Sequence, residues 1–259
     1  MPKIAISGKG GVGKTTLAAL LAHIFSQQGY AVFAIDADPN ANLGSALGFP
    51  PELMATITPI AAMKDLIAER TGAQRGLYGG YFRLNPHVDD IPDLFSAQHR
   101  GIRLLVMGTV RGADAGCMCP ENALLRALVM HLLLQRDDMV ILDMVAGLEH
   151  LGRGTAAGVD LLIGVVEPGR RSVQTARKIA GLAWELGIGR YVVVGNKVRD
   201  RRDRALIEEA LDKVPILGFL PYDPQAIEAD LEGEAAFDRA FHLLDQARCI
   251  ADEIAALIM

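Results

Sequence analysis

The chain has 259 residues, 51% of them hydrophobic, and a formal net charge of −5, a balance that argues against a general nucleic-acid binder. Its apolar runs fall far short of the ~20 residues of a membrane span, and charge and glycine arrive too early for a secretory leader, so a cytoplasmic protein is expected. With no linker, repeat or low-complexity stretch a single domain over residues 1–259 is expected, and three cysteines, two of them one residue apart, suit a metal or redox role better than a structural bridge.

Lys3-Ile4-Ala5-Ile6-Ser7 reads as a buried strand. The turn after it, Gly8-Lys9-Gly10-Gly11-Val12-Gly13-Lys14-Thr15-Thr16, fits the phosphate-binding pattern G-x-x-x-x-G-K-[ST]. Leu17, Leu20, Leu21, Ile24 and Phe25 then recur at helical spacing. The glycines let successive N–H groups converge on one anion, and the helix start adds its dipole. Gly8 to Thr16 are therefore the expected nucleotide cradle. Lys14 is expected on the outer phosphates and the Thr15 hydroxyl on magnesium.

Lys9, second in this loop, makes the pattern K-G-G-x-G-K-[ST]-T. It resembles the deviant Walker A signature of the ATPase class that contains MinD, ParA and the nitrogenase iron protein. The resemblance implies ATP-dependent homodimerisation, with Lys9 crossing the interface to the partner's nucleotide. Ala31 to Asp36 reads as the second strand and runs into Asp36-Ala37-Asp38-Pro39-Asn40-Ala41-Asn42. Acids at a strand's C-terminal end sit where open α/β sheets bind ligands. By the same resemblance this is switch I, with Asp36 holding magnesium through water and Asp38 orienting or deprotonating the attacking water. Asn42 stands where the nitrogenase iron protein has an acid.

Ile60 to Arg70 reads as a helix, and Gly72 to Pro92 as a long surface loop. Ile102 to Gly108 is the third strand. Then comes Gly116-Cys117-Met118-Cys119-Pro120-Glu121, with Pro120 suited to a helix's first turn and Leu124, Leu125, Leu128 and Leu132 forming an apolar stripe. A thiol at a helix N-terminus has a lowered pKa. Two thiolates so close suit zinc, nickel, copper(I) or an iron–sulfur cluster. One C-x-C supplies two ligands where zinc wants four, and a two-fold axis through the pair would supply the rest.

These blocks together resemble the CooC-type ATPases that mature nickel-containing carbon monoxide dehydrogenase. The resemblance is carried by Gly8 to Thr16, Ala37 to Leu43, Leu84 to Pro92, Leu105 to Val110, Cys117 to Glu121 and Asp143 to Gly154. It implies an ATPase that uses ATP/ADP and Mg2+, dimerises with nucleotide, and binds nickel or zinc through Cys117 and Cys119. It implies apo carbon monoxide dehydrogenase as the client.

Met139 to Asp143 reads as a Walker B strand followed by switch II. By resemblance Asp143 holds magnesium through water and Gly147 offers its N–H to the γ-phosphate. Glu149 and His150 read as structural or partner-facing. Asp160 to Val166 is another buried strand, closed by Glu167-Pro168-Gly169, and a helix follows from Arg170 to Leu186. Arg190 to Gly195 is the sixth strand, ending at Asn196 and Lys197. In this class that asparagine reads adenine, and no guanine-type N-K-x-D is present. Val214 to Phe219 is a short last strand, after which Pro221 and Tyr222 can wall the base. The final helix carries Phe241, Leu244, Ala251, Ile254 and Ile258 on one face, read as core, with Cys249 inert.

Strands alternating with helices predict a doubly wound, mostly parallel α/β sheet of about seven strands with helices on both faces. Two other functions are weighed. An iron-protein-like electron-transfer ATPase would hold an interfacial [4Fe–4S] cluster, but that family draws its cysteines from separate loops. A ParA- or MinD-type positioning switch would need DNA or membrane, and neither a basic run nor a basic tail is evident.

Overall fold

The computed structural model describes residues 1–38, 40–73, 81–108, 119–145, 156–211 and 213–258. The strands are β1 (Lys3–Gly8), β2 (Val32–Asp36), β3 (Ala97–His99), β4 (Ile102–Val106), β5 (Met139–Asp143), β6 (Leu161–Val166), β7 (Tyr191–Val198) and β8 (Ile216–Pro221). They form one eight-stranded sheet in the order β3-β4-β2-β5-β1-β6-β7-β8. All pairings are parallel except β3 with β4. The seven expected strands are present. The eighth, β3, is an antiparallel edge strand whose three residues, two half-buried and Gln98 exposed, carry no apolar run.

The longer helices are α1 (Lys14–Gln27), α2 (Lys64–Thr71), α3 (Pro120–Leu134), α4 (Arg170–Leu186), α5 (Arg201–Ala210), α6 (Pro224–Glu232) and α7 (Phe241–Ile258). Every residue of β1, β2, β5 and β6 is buried, as parallel strands covered on both faces should be. Alternate strand residues divide the core. Ile4, Ile6, Ile163 and Val194 pack with α1 and α7 on one face. Ala5, Leu142 and Leu162 pack with α3 and α4 on the other. Val173 and Ala176 of α4 pack with Ile207 of α5 against Val166 and Val193, on that second face.

Two local readings are corrected. The expected helix from Ile60 to Arg70 is a 3-10 turn (Ile60–Ala62) followed by α2, because Met63 takes a ψ of 72° that no helix continues through. Phe241 is exposed rather than core: it is the first residue of α7, just after a short helix at Ala236–Arg239 that leaves it uncovered. Leu244, Ala251 and Ile254 are buried as expected, and Ile258 packs against their cluster. Within the expected 72–92 loop, Ile91 and Pro92 are buried at the start of a short helix, Ile91–Phe95. No described helix is long and apolar enough to cross a membrane.

Candidate nucleotide and metal-ion site

The sheet's centre places the site. β1 lies between β5 and β6, so the loop leaving Gly8 emerges between their C-terminal ends. Gly13, with φ +94°, is the residue before α1, and that helix has neither an acid in its first turn nor a side-chain cap. Its first N–H groups are thus left for an anion. Lys14 is buried, and its Nζ lies 3.4 Å from the Lys9 carbonyl, which also accepts the Val12 N–H. Thr16 follows in the first turn of α1, beside Thr15.

The metal-ion side is built by register. Asp36, last in β2, is the neighbour of Asp143, last in β5. The Thr15 hydroxyl donates to Asp143 Oδ2 at 2.6 Å, while Asp143 Oδ1 is buried with no hydrogen-bond partner among the described residues. A buried carboxylate oxygen left in that state is costly. With a hydroxyl beside it, it fits a hard divalent cation such as magnesium. Burial pushes Asp143 up to about 7, against the lowering effect of the Thr15 bond. Burial likewise raises Asp36 to about 6, although its oxygens accept N–H groups from Asp38 (3.1 Å) and Leu43 (2.8 Å). A bound cation would favour the ionised form of both. Asp38 is half-buried, accepts the Asn40 N–H at 2.9 Å, and acts electrostatically on Asp143 together with Asp36 and Lys14.

Asn196 and Lys197 reach the same loop from the end of β7. Asn196 is buried, and its Nδ2 donates to the Val12 carbonyl at 2.8 Å. Its Oδ1 accepts the Lys197 N–H. That side chain braces the phosphate loop and retains one further amide proton. Lys197 has a φ of +57° and donates from Nζ to the Gly11 carbonyl at 2.6 Å. Tyr222 follows Pro221, the end of β8; it is exposed and donates its N–H to the Val198 carbonyl. Pro221 and Tyr222 thus stand next to the end of β7.

Glu167 was missed as a site residue. Its carboxylate lies 3.7 Å from Lys9 Nζ and 3.5 Å from Lys197 Nζ. Register foretells this: Gly8 pairs with Val165, so the residue two beyond Val165 faces the start of the loop. In the sequence alone Glu167 marks only the close of a strand.

Of the cysteine pair, Cys119 is the half-buried residue that precedes α3; Pro120 is the first residue of that helix, and the Ala123 N–H bonds to the Cys119 carbonyl. Cys117, Gly147, Glu149 and His150 lie outside the described residues. Cys249 is exposed on α7.

Comparisons agree with this geometry. The family described as CbiA, the CobQ/CobB/MinD/ParA nucleotide binding domain, matches residues 3–237. The carbon monoxide dehydrogenase accessory protein CooC of Rhodospirillum rubrum is 48% identical over 248 residues, covering 96% of this chain and 94% of that one. An uncharacterized ATP-binding protein of Methanocaldococcus jannaschii is 45% identical, with 90% of each chain covered. The MinD cell division protein of Aquifex aeolicus is 22% identical and superposes with a TM-score of 0.70 over 99% of this chain and 98% of that one, which speaks for the fold. The chain therefore belongs to the CobQ/CobB/MinD/ParA family of nucleotide-binding P-loop proteins and, within it, to the family of the carbon monoxide dehydrogenase accessory protein CooC.

Proposed function

We propose that this ATPase is a metallochaperone that uses nucleotide-driven dimerisation to help insert nickel into carbon monoxide dehydrogenase. Near-half identity to CooC over almost the whole length of both chains carries the reading. Lys14 neutralises the outer phosphates, and the Gly8-to-Thr16 loop with Gly147 cradles them. Thr15 would hold the magnesium ion, with Asp143 and Asp36 supporting it through water. That ion supplies charge neutralisation at the phosphates. Asp38 orients the attacking water. Lys9 reaches the nucleotide of a second copy. Asn196, Lys197, Pro221 and Tyr222 flank the adenine.

Nickel, or zinc in its place, is cargo. Two copies of Cys117 and Cys119 on the two-fold axis would give it four sulfurs, and Cys119 stands before α3, where the dipole favours a thiolate. ATP closing the dimer would change how that cargo is held, and hydrolysis would reset it.

The test is metal per chain in anaerobically purified, nickel-loaded protein, for wild type and Cys117→Ser/Cys119→Ser. About half a nickel or zinc per chain, lost in the double variant, supports a shared four-sulfur site. Iron and sulfide at about two per chain each would replace it with a bridging cluster and an electron-transfer role. Metal retained in the double variant would remove the cysteine pair from the reading.

A further inference from the structure

Residues 170–210 hold ten Lys/Arg against five Asp/Glu, in a chain whose net charge is −5. Within that stretch, α4 opens on Arg170-Arg171 and α5 on Arg201-Arg202. Both helices follow parallel strands, so both begin at the same edge of the sheet. Cations at a helix N-terminus oppose its dipole. The first turn of α4 contains no acid to offset them. None of the four arginines makes an ion pair among the described residues, whereas neighbouring Arg199 and Arg204 do, with Asp203 and Glu208.

Between the two helices runs a groove of about 680 Å³, lined by Arg170 and Arg202, by Val173, Ala205 and Leu206, and by one acid, Glu209, which the arginines outnumber. Arg177 lines it too, fixed by two bonds to the Ala210 carbonyl at 3.0 and 2.5 Å. On α4, Arg170, Gln174, Arg177, Gly181 and Trp184 share one face at i, i+4, i+7, i+11 and i+14. A side chain on Gly181 would meet nothing within 4 Å, and Trp184, the single tryptophan of the chain, is 85% exposed. The face is therefore cationic at one end, open in the middle and aromatic at the other. Exposed Trp and Arg around an apolar floor are what protein partners anchor on.

We propose that the α4–α5 groove with Trp184 docks an acidic, amphipathic segment of a partner protein, its carboxylates on Arg170 and Arg202 and its apolar side chains over Leu206, Gly181 and Trp184. Charge complementarity selects the occupant: Arg170 and Arg202, which make no ion pair among the described residues, ask for carboxylates, and the apolar floor and the tryptophan ask for more than a polyanion. The inference uses no metal and stands apart from the cargo reading.

Trp184 is its own reporter. The full chain is titrated with a synthetic Glu/Leu amphipathic helix of about 18 residues, the span of α4, and with its Gln/Leu counterpart and a DNA duplex. The expected result is a saturable blue shift with the Glu/Leu helix, weakened tenfold or more for the Gln/Leu helix and for Arg170→Glu/Arg202→Glu, with the ATPase rate of that variant unchanged. Ala205→Gln, which fills the groove without adding charge, is expected to weaken binding similarly. Equal response to the Gln/Leu helix, an equal shift with DNA, no shift at all, or self-association that the double variant abolishes would each overturn the proposal.

Discussion

Asp36 and Asp143 end neighbouring parallel strands in direct register, two carboxylates buried side by side where the Thr15 hydroxyl meets the sheet. Without a cation their charges are costly, and burial raises them from 3.8 to about 6 and about 7. The folded protein therefore binds their protons more tightly than the unfolded chain does. Their contribution to stability is complete below about 3.8 and is lost as pH rises through about 6 and then about 7. Asp143→Asn keeps an acceptor for Thr15 and removes the buried charge. It is expected to stabilise the nucleotide-free protein by about 1–3 kcal/mol more at pH 8 than at pH 5, and to abolish stabilisation by Mg-ATP. Melting curves at the two pH values check this, and an equal effect at both would refute the assignment.

Lys9 pairs with Glu167 at 3.7 Å inside its own chain, with both side chains partly exposed. If Lys9 must reach a second copy's nucleotide, that pair opposes dimerisation. Partly exposed pairs contribute ~0.2–1 kcal/mol. Each dimer breaks two such pairs, so Glu167→Gln is expected to tighten the ATP-dependent dimer by about 2- to 30-fold. Sedimentation at several protein concentrations reads that directly. Lys9→Ala should depress ATP hydrolysis, and wild-type hydrolysis in that variant would rule out the trans role.

Gly13 and Asn196 are locked together. A Cβ on Gly13 would lie 2.1 Å from Asn196 Nδ2, at a φ of +94° that side chains rarely adopt. Gly13→Ala must therefore displace the brace or the loop, and nucleotide affinity is expected to fall by about 100-fold or more. Asn196→Ala leaves the Val12 carbonyl without its donor, at a cost of about 1–3 kcal/mol of stability. Calorimetric nucleotide titration and denaturant unfolding separate the two effects. If Asn196→Ala weakens ATP and GTP binding equally, the residue braces the loop without reading the base.

Much of this was legible because the chemistry is local. The phosphate loop, the seven parallel strands and the bounds of α4 follow from spacing and apolar runs read in short windows. What escaped is what register and exposure decide. Glu167 looks like any strand-closing acid until the Gly8–Val165 pairing brings it to Lys9. β3 has too few residues and too little burial to carry a pattern. Phe241 has the right spacing for the core face of α7 but sits at its open end. Asn196 is expected at the base, and only the fold reveals that its amide also braces the loop.

The brace between Val12 and Asn196 spans 184 residues of sequence. Parallel sheets of this kind close their central contacts only after long intervening segments exist. During synthesis at ~5–20 residues per second, the amino-terminal loop therefore waits on the order of ten seconds or more for the residue that steadies it. The phosphate-binding signature is made first, yet its loop is steadied only after 184 further residues have followed it. That delay sets nucleotide capture by the braced loop after most of the sheet has been made.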